Sequence, residues 1–292
     1  MGTDSVRSSI GKGVASPTGE LSDEFKRRAR EQWTDNPCGA HVARDLEFGT
    51  REYFDQIEDY RYRVASPWMK QDLPFSAYRG KSLIEIGCGT GTDLLQFARG
   101  GAIVTGVDLT PRSIEIARKR FEVYGLPGQF MIADAENLAF PDESFDGAYS
   151  FGVLHHTPDT QRAIGEVYRI LRPGSKATVM LYNRTSLLYW GAIILKRGLL
   201  QRDLLKMSPD DIMSGSVEYS DTGRRPLVKA YTNARARGMF RQFEHVKVDV
   251  RQLSREDLGV AGRLLPEPVF RWLEHNFGWN LIITATKGAD RS

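Results

Sequence analysis

Residues Leu83-Ile84-Glu85-Ile86-Gly87-Cys88-Gly89-Thr90-Gly91 form an apolar run that ends in three alternating glycines. This feature narrows the possible folds more than any other. Glycine adopts positive φ without steric cost and lets the backbone approach a ligand where a Cβ would not fit. A helix leaving such a turn points its unpaired N–H groups and the positive end of its dipole at the same place. Asp93 to Ala98 reads as that helix. The chain from Lys81 is therefore expected to open an α/β unit with a ligand at its first strand–helix turn.

The pattern then repeats. Strands are expected at Ser82–Ile86, Ala102–Val107, Gln129–Ile132, Phe145–Ser150 and Ala177–Tyr182. Helices are expected at Pro111–Tyr124, where proline suits the first turn, and at Asp159–Leu171. Strands separated by helices of this length imply parallel βαβ units. Gly106-Val107-Asp108-Leu109 ends the second strand, and an acid there can accept from both hydroxyls of a ribose. That acid is common to nicotinamide and S-adenosylmethionine sites. A dinucleotide loop would favour glycine or alanine at position 92, where this chain has Thr92.

The segments between strands three and five decide between them: Asp134-Ala135, then Leu138-Ala139-Phe140-Pro141-Asp142-Glu143-Ser144-Phe145-Asp146, Leu154-His155-His156 and Leu171-Arg172-Pro173-Gly174. With the glycine loop and Asp108, residues 81–183 resemble class I S-adenosylmethionine-dependent methyltransferases. The small-molecule group typified by the ubiquinone/menaquinone enzymes is the closest pattern; Ala139 departs from it. The resemblance implies a Rossmann-like, doubly wound, seven-stranded, mostly parallel sheet with an antiparallel last strand. It implies S-adenosylmethionine as cofactor. Gly87, Cys88, Gly89, Gly91 and Thr92 would hold the amino-acid end of the cofactor, with Glu85 bracing the loop. Asp108 would take the ribose and Leu109 would pack on adenine. Asp134 and the Ala135 N–H would meet the adenine edge, and Phe151 would border the methionine part.

The remaining expectations concern the acceptor. Residues 1–20 are expected to be a disordered tail and 21–80 a helical cap rich in aromatic residues. Residues 184–230 would form a helical insertion or lid, and 231–292 the C-terminal part of the fold. His155 and His156 follow the fourth strand, at the edge where open α/β sheets bind ligands, and are candidate bases or orienting groups. Tyr62, Trp68 and Trp190 are candidate acceptor contacts. The apolar Leu187–Leu195 block is expected to be a buried helix or lid over the acceptor, without stable membrane association. No metal site is expected, because the five histidines and two cysteines lack ligand spacing. Two distant cysteines fit a reducing cytoplasm.

Residues 1–183 carry a formal charge of −3 and residues 184–292 carry +6. Arg224, Arg225, Lys229, Arg235 and Arg237 contribute to that excess and leave room for a carboxylate or diphosphate on the acceptor. The expected partner is a small methyl acceptor, lipophilic or aromatic, with an O, N or C nucleophile; prenyl diphosphate C-methylation is one version. No nucleic acid is expected, and a homodimer is left open. The alternatives are a methyltransferase acting on RNA or protein, and a non-catalytic S-adenosylmethionine-binding protein.

Overall fold

The computed structural model describes residues 19–217 and 226–289. The expected tail lies outside them, except that Gly19 and Glu20 begin a helix. Arg224 and Arg225 also lie outside.

Eight strands form one sheet: β1 Ser82–Ile86, β2 Ile103–Asp108, β3 Gln129–Ile132, β4 Phe145–Phe151, β5 Leu171–Asn183, β6 Ala230–Tyr231, β7 Glu244–Arg251 and β8 Asn280–Thr286. Their order is β3-β2-β1-β4-β5-β8-β7, with the two-residue β6 paired to β5. Strands β1 to β5 run parallel to their neighbours, and β8 is antiparallel to both β5 and β7. The expected seven-stranded sheet is present, and β6 is the addition.

Ten α-helices accompany it among the described residues: α1 Gly19–Asp35, α2 Arg51–Asp59, α3 Met69–Asp72, α4 Thr92–Arg99, α5 Pro111–Tyr124, α6 Thr160–Ile170, α7 Pro209–Ser214, α8 Asn233–Met239, α9 Gly259–Leu264 and α10 Glu267–Phe277. Two further segments, Tyr60–Ala65 and Leu188–Leu200, are π-helices.

Alternation along β1 sends its side chains to two cores. Leu83 joins Leu94, Leu95, Ala117 and Phe121 from α4 and α5. Ile84 and Ile86 join Ile164, Val167 and Phe240 from α6 and the α8 end. Helices therefore cover both faces, which is what a parallel sheet requires. The carboxyl ends of β1, β2, β4 and β5 stay open to the segments above: α1, the Tyr60–Ala65 turn and the Leu188–Leu200 helix.

Candidate active site

The glycine loop is fixed by backbone bonds before any ligand is considered. The N–H groups of Gly87 and Cys88 both donate to the Val107 carbonyl, at 2.7 and 2.9 Å. Fully buried Arg120 donates to the Thr90 carbonyl at 2.8 Å. Gly87 has φ 76°, and a Cβ there would lie 2.2 Å from Val153 Cγ2, so only glycine fits. Gly89, with φ 50°, would carry a Cβ that meets nothing within 4 Å; the room lies on the ligand side. Gly91 faces Ala117 instead and starts α4.

A cavity of about 450 Å³ opens over this edge. Gly87, Gly89, Asp108, Leu109, Asp134 and Ala135 line its first end. A second cavity of about 670 Å³ shares Gly87, Gly89, Arg61 and Phe151 with it and reaches Glu85, Cys88 and Thr92. Asp108 Oδ2 accepts from the Gly89 N–H at 3.0 Å. Its Oδ1 accepts from the Thr110 N–H and hydroxyl, both at 2.9 Å. Burial raises the Asp108 carboxyl above its usual range, against the pull of the bonds from Thr110 and Gly89. Asp134 Oδ2 accepts from Lys26 Nζ at 2.6 Å, and Lys26 also lies 2.7 Å from Glu136 Oε2. Helix α1 is thus tied across the Asp134 end of the cavity, a contact that the spacing of Lys26 and Asp134 in the chain does not signal.

Beneath the loop lies a buried charge network. Arg61 contacts both oxygens of Asp93, at 3.1 and 2.6 Å, and the Tyr62 and Tyr149 hydroxyls donate to the same carboxylate at 2.8 and 2.9 Å. Burial opposes the Asp93 charge, but Arg61 and the two hydroxyls outweigh it and hold the carboxyl below its usual range. The Arg61 guanidinium also sits 4.3 Å from the Phe151 ring centroid. Tyr62 is therefore a buried partner of Asp93 and lines neither cavity, unlike the acceptor contact expected from the sequence.

Glu85 differs from Asp93. Burial first, and the nearby Asp93 charge second, push its carboxyl well above the usual range. Its Oε2 is buried with no hydrogen-bond partner. A folded pKa above the unfolded one means that this group supports the fold below the ordinary glutamate range. That support is lost as pH rises through the raised value. Glu85→Gln is therefore expected to stabilise the ligand-free protein at neutral pH by about 1–3 kcal/mol and to flatten this loss; melting temperature across pH checks it. The orphaned oxygen also fits S-adenosylmethionine, whose amino group is a cation that donates hydrogen bonds. The open space at Gly89 and the buried acid at Asp108 fit it as well.

The cavity lining also includes Trp33, His156, Tyr182, Ile193 and Trp279. Tyr182 and Trp279 stack with ring centroids 4.5 Å apart, and Trp33 meets His156 edge-on at 5.5 Å. His156 Nδ1 lies 2.7 Å from the Leu227 carbonyl. A carbonyl only accepts, so Nδ1–H donates to it.

His155 is fully buried, 3.9 Å from the Tyr182 ring centroid, and lines neither cavity. Burial, then the proximity of His156 and Lys229, hold its pKa well below the ordinary value. This placement separates the two neighbours: His156 faces the cavity and His155 fills core. Trp68 stands behind the wall, donating its indole N–H to Gln252 Oε1 at 2.9 Å, while Gln252 itself lines the cavity. Trp190 is 57% exposed and lies outside the cavity, contrary to its expected acceptor contact. The helix that carries it does form a wall, through Leu188, Ala192 and Ile193. The sequence block is apolar all round, so periodicity did not say which side faces inward.

Comparisons with known proteins agree with this geometry. Residues 84–179 match the family model described as a methyltransferase domain. The O-methyltransferase rstn1 of Aspergillus nomiae is 37% identical over 107 residues, covering 36% of this chain and 48% of the relative. The demethylmenaquinone methyltransferase of Thermus thermophilus is 38% identical over 103 residues, covering 34% and 46%. The chain thus spans about half the length of these curated relatives. Among solved structures, one from the complex of the Haloferax volcanii Trm112 methyltransferase activator with a methyltransferase shares the fold. Its TM-score is 0.55 at 16% identity, over 90% of this chain and 99% of that one. The glycine loop, the acid ending β2 and the matched span together make residues 84–179 a class I S-adenosylmethionine-dependent methyltransferase domain.

Proposed function

We propose that the protein transfers a methyl group from S-adenosylmethionine to a hydroxyl of a small, neutral, lipophilic or aromatic metabolite. One observation carries this reading: a single cavity joins the glycine loop and Asp108 to an aromatic stretch of wall that includes His156. The relative whose name states O-methyltransferase supports the hydroxyl acceptor, and the demethylmenaquinone methyltransferase supports a small lipophilic one. Lys229 is not among the lining residues, and Arg224 and Arg225 lie outside the described ones.

When bound, S-adenosylmethionine supplies a methyl already activated on a sulfonium. Gly87, Gly89 and Glu85 would hold its amino-acid end, Asp108 its ribose hydroxyls, and Leu109, Asp134 and Ala135 its adenine. The protein's work is then to align the nucleophile and exclude water. Tyr182 and Trp279 would flank the acceptor, and His156 would take or orient the acceptor hydroxyl proton. The described parts of residues 21–80 and 184–230 would form the selective walls, while the sheet would hold the cofactor.

The test is transfer of labelled methyl from S-adenosylmethionine to a panel of neutral phenols and quinols, with amines and prenyl diphosphates beside them. Ether formation on the phenols or quinols supports the reading; transfer only to amines or diphosphates rejects it. Asp108→Ala is expected to fold and to lose about 1.5–3 kcal/mol of cofactor affinity by calorimetry. Unchanged affinity in a folded variant would remove Asp108 from the site.

A further inference from the structure

The Leu188–Leu200 helix has two faces of different kinds. Leu188, Ala192 and Ile193 line the cavity, and Tyr189 and Ile193 are buried against Ile212, Met213 and Trp279. The outer side carries Trp190, Leu195, Leu199 and Leu200, and the turn beyond it carries Leu205. These five are 57%, 52%, 58%, 73% and 80% exposed. Trp190, Leu195 and Leu199 recur every four to five residues and share one side of a helix of this pitch; Leu200 adjoins Leu199, and Leu205 lies past the helix end. Soluble surfaces rarely leave so many large apolar groups together unless they meet a partner.

The charges beside the stripe are of one sign. Lys196, Arg202 and Lys206 are exposed on the same segment. Its sole acid, Asp203, is half-buried and held by Arg197 at 3.0 Å. Leucines and a tryptophan flanked by exposed cations suit the boundary of an anionic bilayer, where apolar groups enter the acyl region and cations meet headgroups. A second copy of this chain suits the face less well, because it would bring these cations against their own kind.

We propose that this face docks reversibly on an anionic lipid surface. No described helix is long and apolar enough to cross a membrane, so docking is peripheral. The consequence is positional: one helix would touch lipid on one side and wall the reaction cavity on the other. Docking itself does not depend on which acceptor is methylated.

Flotation of the whole chain with vesicles tests it, using phosphatidylcholine alone or mixed with phosphatidylglycerol, at low and high salt. Binding to the mixed vesicles, weakened by salt and nearly absent on phosphatidylcholine, is expected. Leu199→Gln with Leu200→Gln should lower the partition coefficient about a hundredfold. Melting temperature and S-adenosylmethionine affinity should be unchanged, since both leucines are exposed and line neither cavity. Lys196→Gln with Lys206→Gln should remove the lipid selectivity. No binding to either vesicle, equal binding to both, or binding that survives the leucine changes would overturn the proposal. So would a concentration-dependent dimer that the leucine changes abolish, found without vesicle binding.

Discussion

Replacing His156 with asparagine is expected to lower turnover by about 10²–10⁴-fold while leaving S-adenosylmethionine affinity within a factor of about two, because only proton transfer is lost. His156 lies at the aromatic end of the cavity, away from Asp108 and the glycine loop, with its Nδ1 committed to the Leu227 carbonyl. The parallel change at His155 should behave differently. That ring is fully buried against Tyr182, so His155→Asn should lower melting temperature first and turnover only through lost structure. If acceptors already ionised in solution are turned over at the wild-type rate by the His156 variant, the base is identified. If all acceptors keep wild-type turnover, His156 plays no part in proton removal.

Arg61→Met is expected to cost about 3–5 kcal/mol of stability, the usual loss when one partner of a buried ion pair is removed. Asp93 is only 5% exposed at its side chain and would keep the Tyr62 and Tyr149 hydroxyls without its cation. The repulsion between Asp93 and Glu85, now offset by Arg61, would also grow. Adding Asp93→Asn should restore part of the loss, because it removes the stranded charge. Denaturant unfolding of the two single variants and the double variant measures that coupling. Equal, additive losses would mean that the pair contributes only packing.

Much of the sheet was legible because its signals are local. Glycines with positive φ, proline opening α5 and short apolar runs each act within a few residues, and β1 to β5 fall where such cues place strands. The cofactor end of the cavity was legible for the same reason: Asp108, at the end of β2, and Asp134, two residues past β3, line the cavity beside the loop. What was hidden depends on contacts between distant segments. Lys26 reaches Asp134 across 108 positions, and Arg61 reaches Asp93 across 32. Neither pair leaves a periodic trace. The Leu187–Leu195 block misled about Trp190 because hydrophobicity on every side of a helix carries no direction; burial of Tyr189 and Ile193 sets it only in the folded chain. His155 and His156 are adjacent and chemically identical, and only the geometry after β4 sends one to the core and one to the cavity.

Lys26 raises a related question about access. It holds α1 over the Asp134 end of the cavity with two ion pairs, one to a partly exposed carboxylate and one to the buried Glu136. Higher salt should weaken them, so cofactor exchange is expected to speed up with ionic strength.

Calorimetric titration of the whole chain with S-adenosylhomocysteine, repeated in the presence of NAD, is the most direct measurement. Binding near micromolar, roughly −8 kcal/mol, with no competition from NAD, is the expected result. Tight binding of NAD with no response to S-adenosylhomocysteine would contradict a methyltransferase site built on Gly87, Gly89 and Asp108.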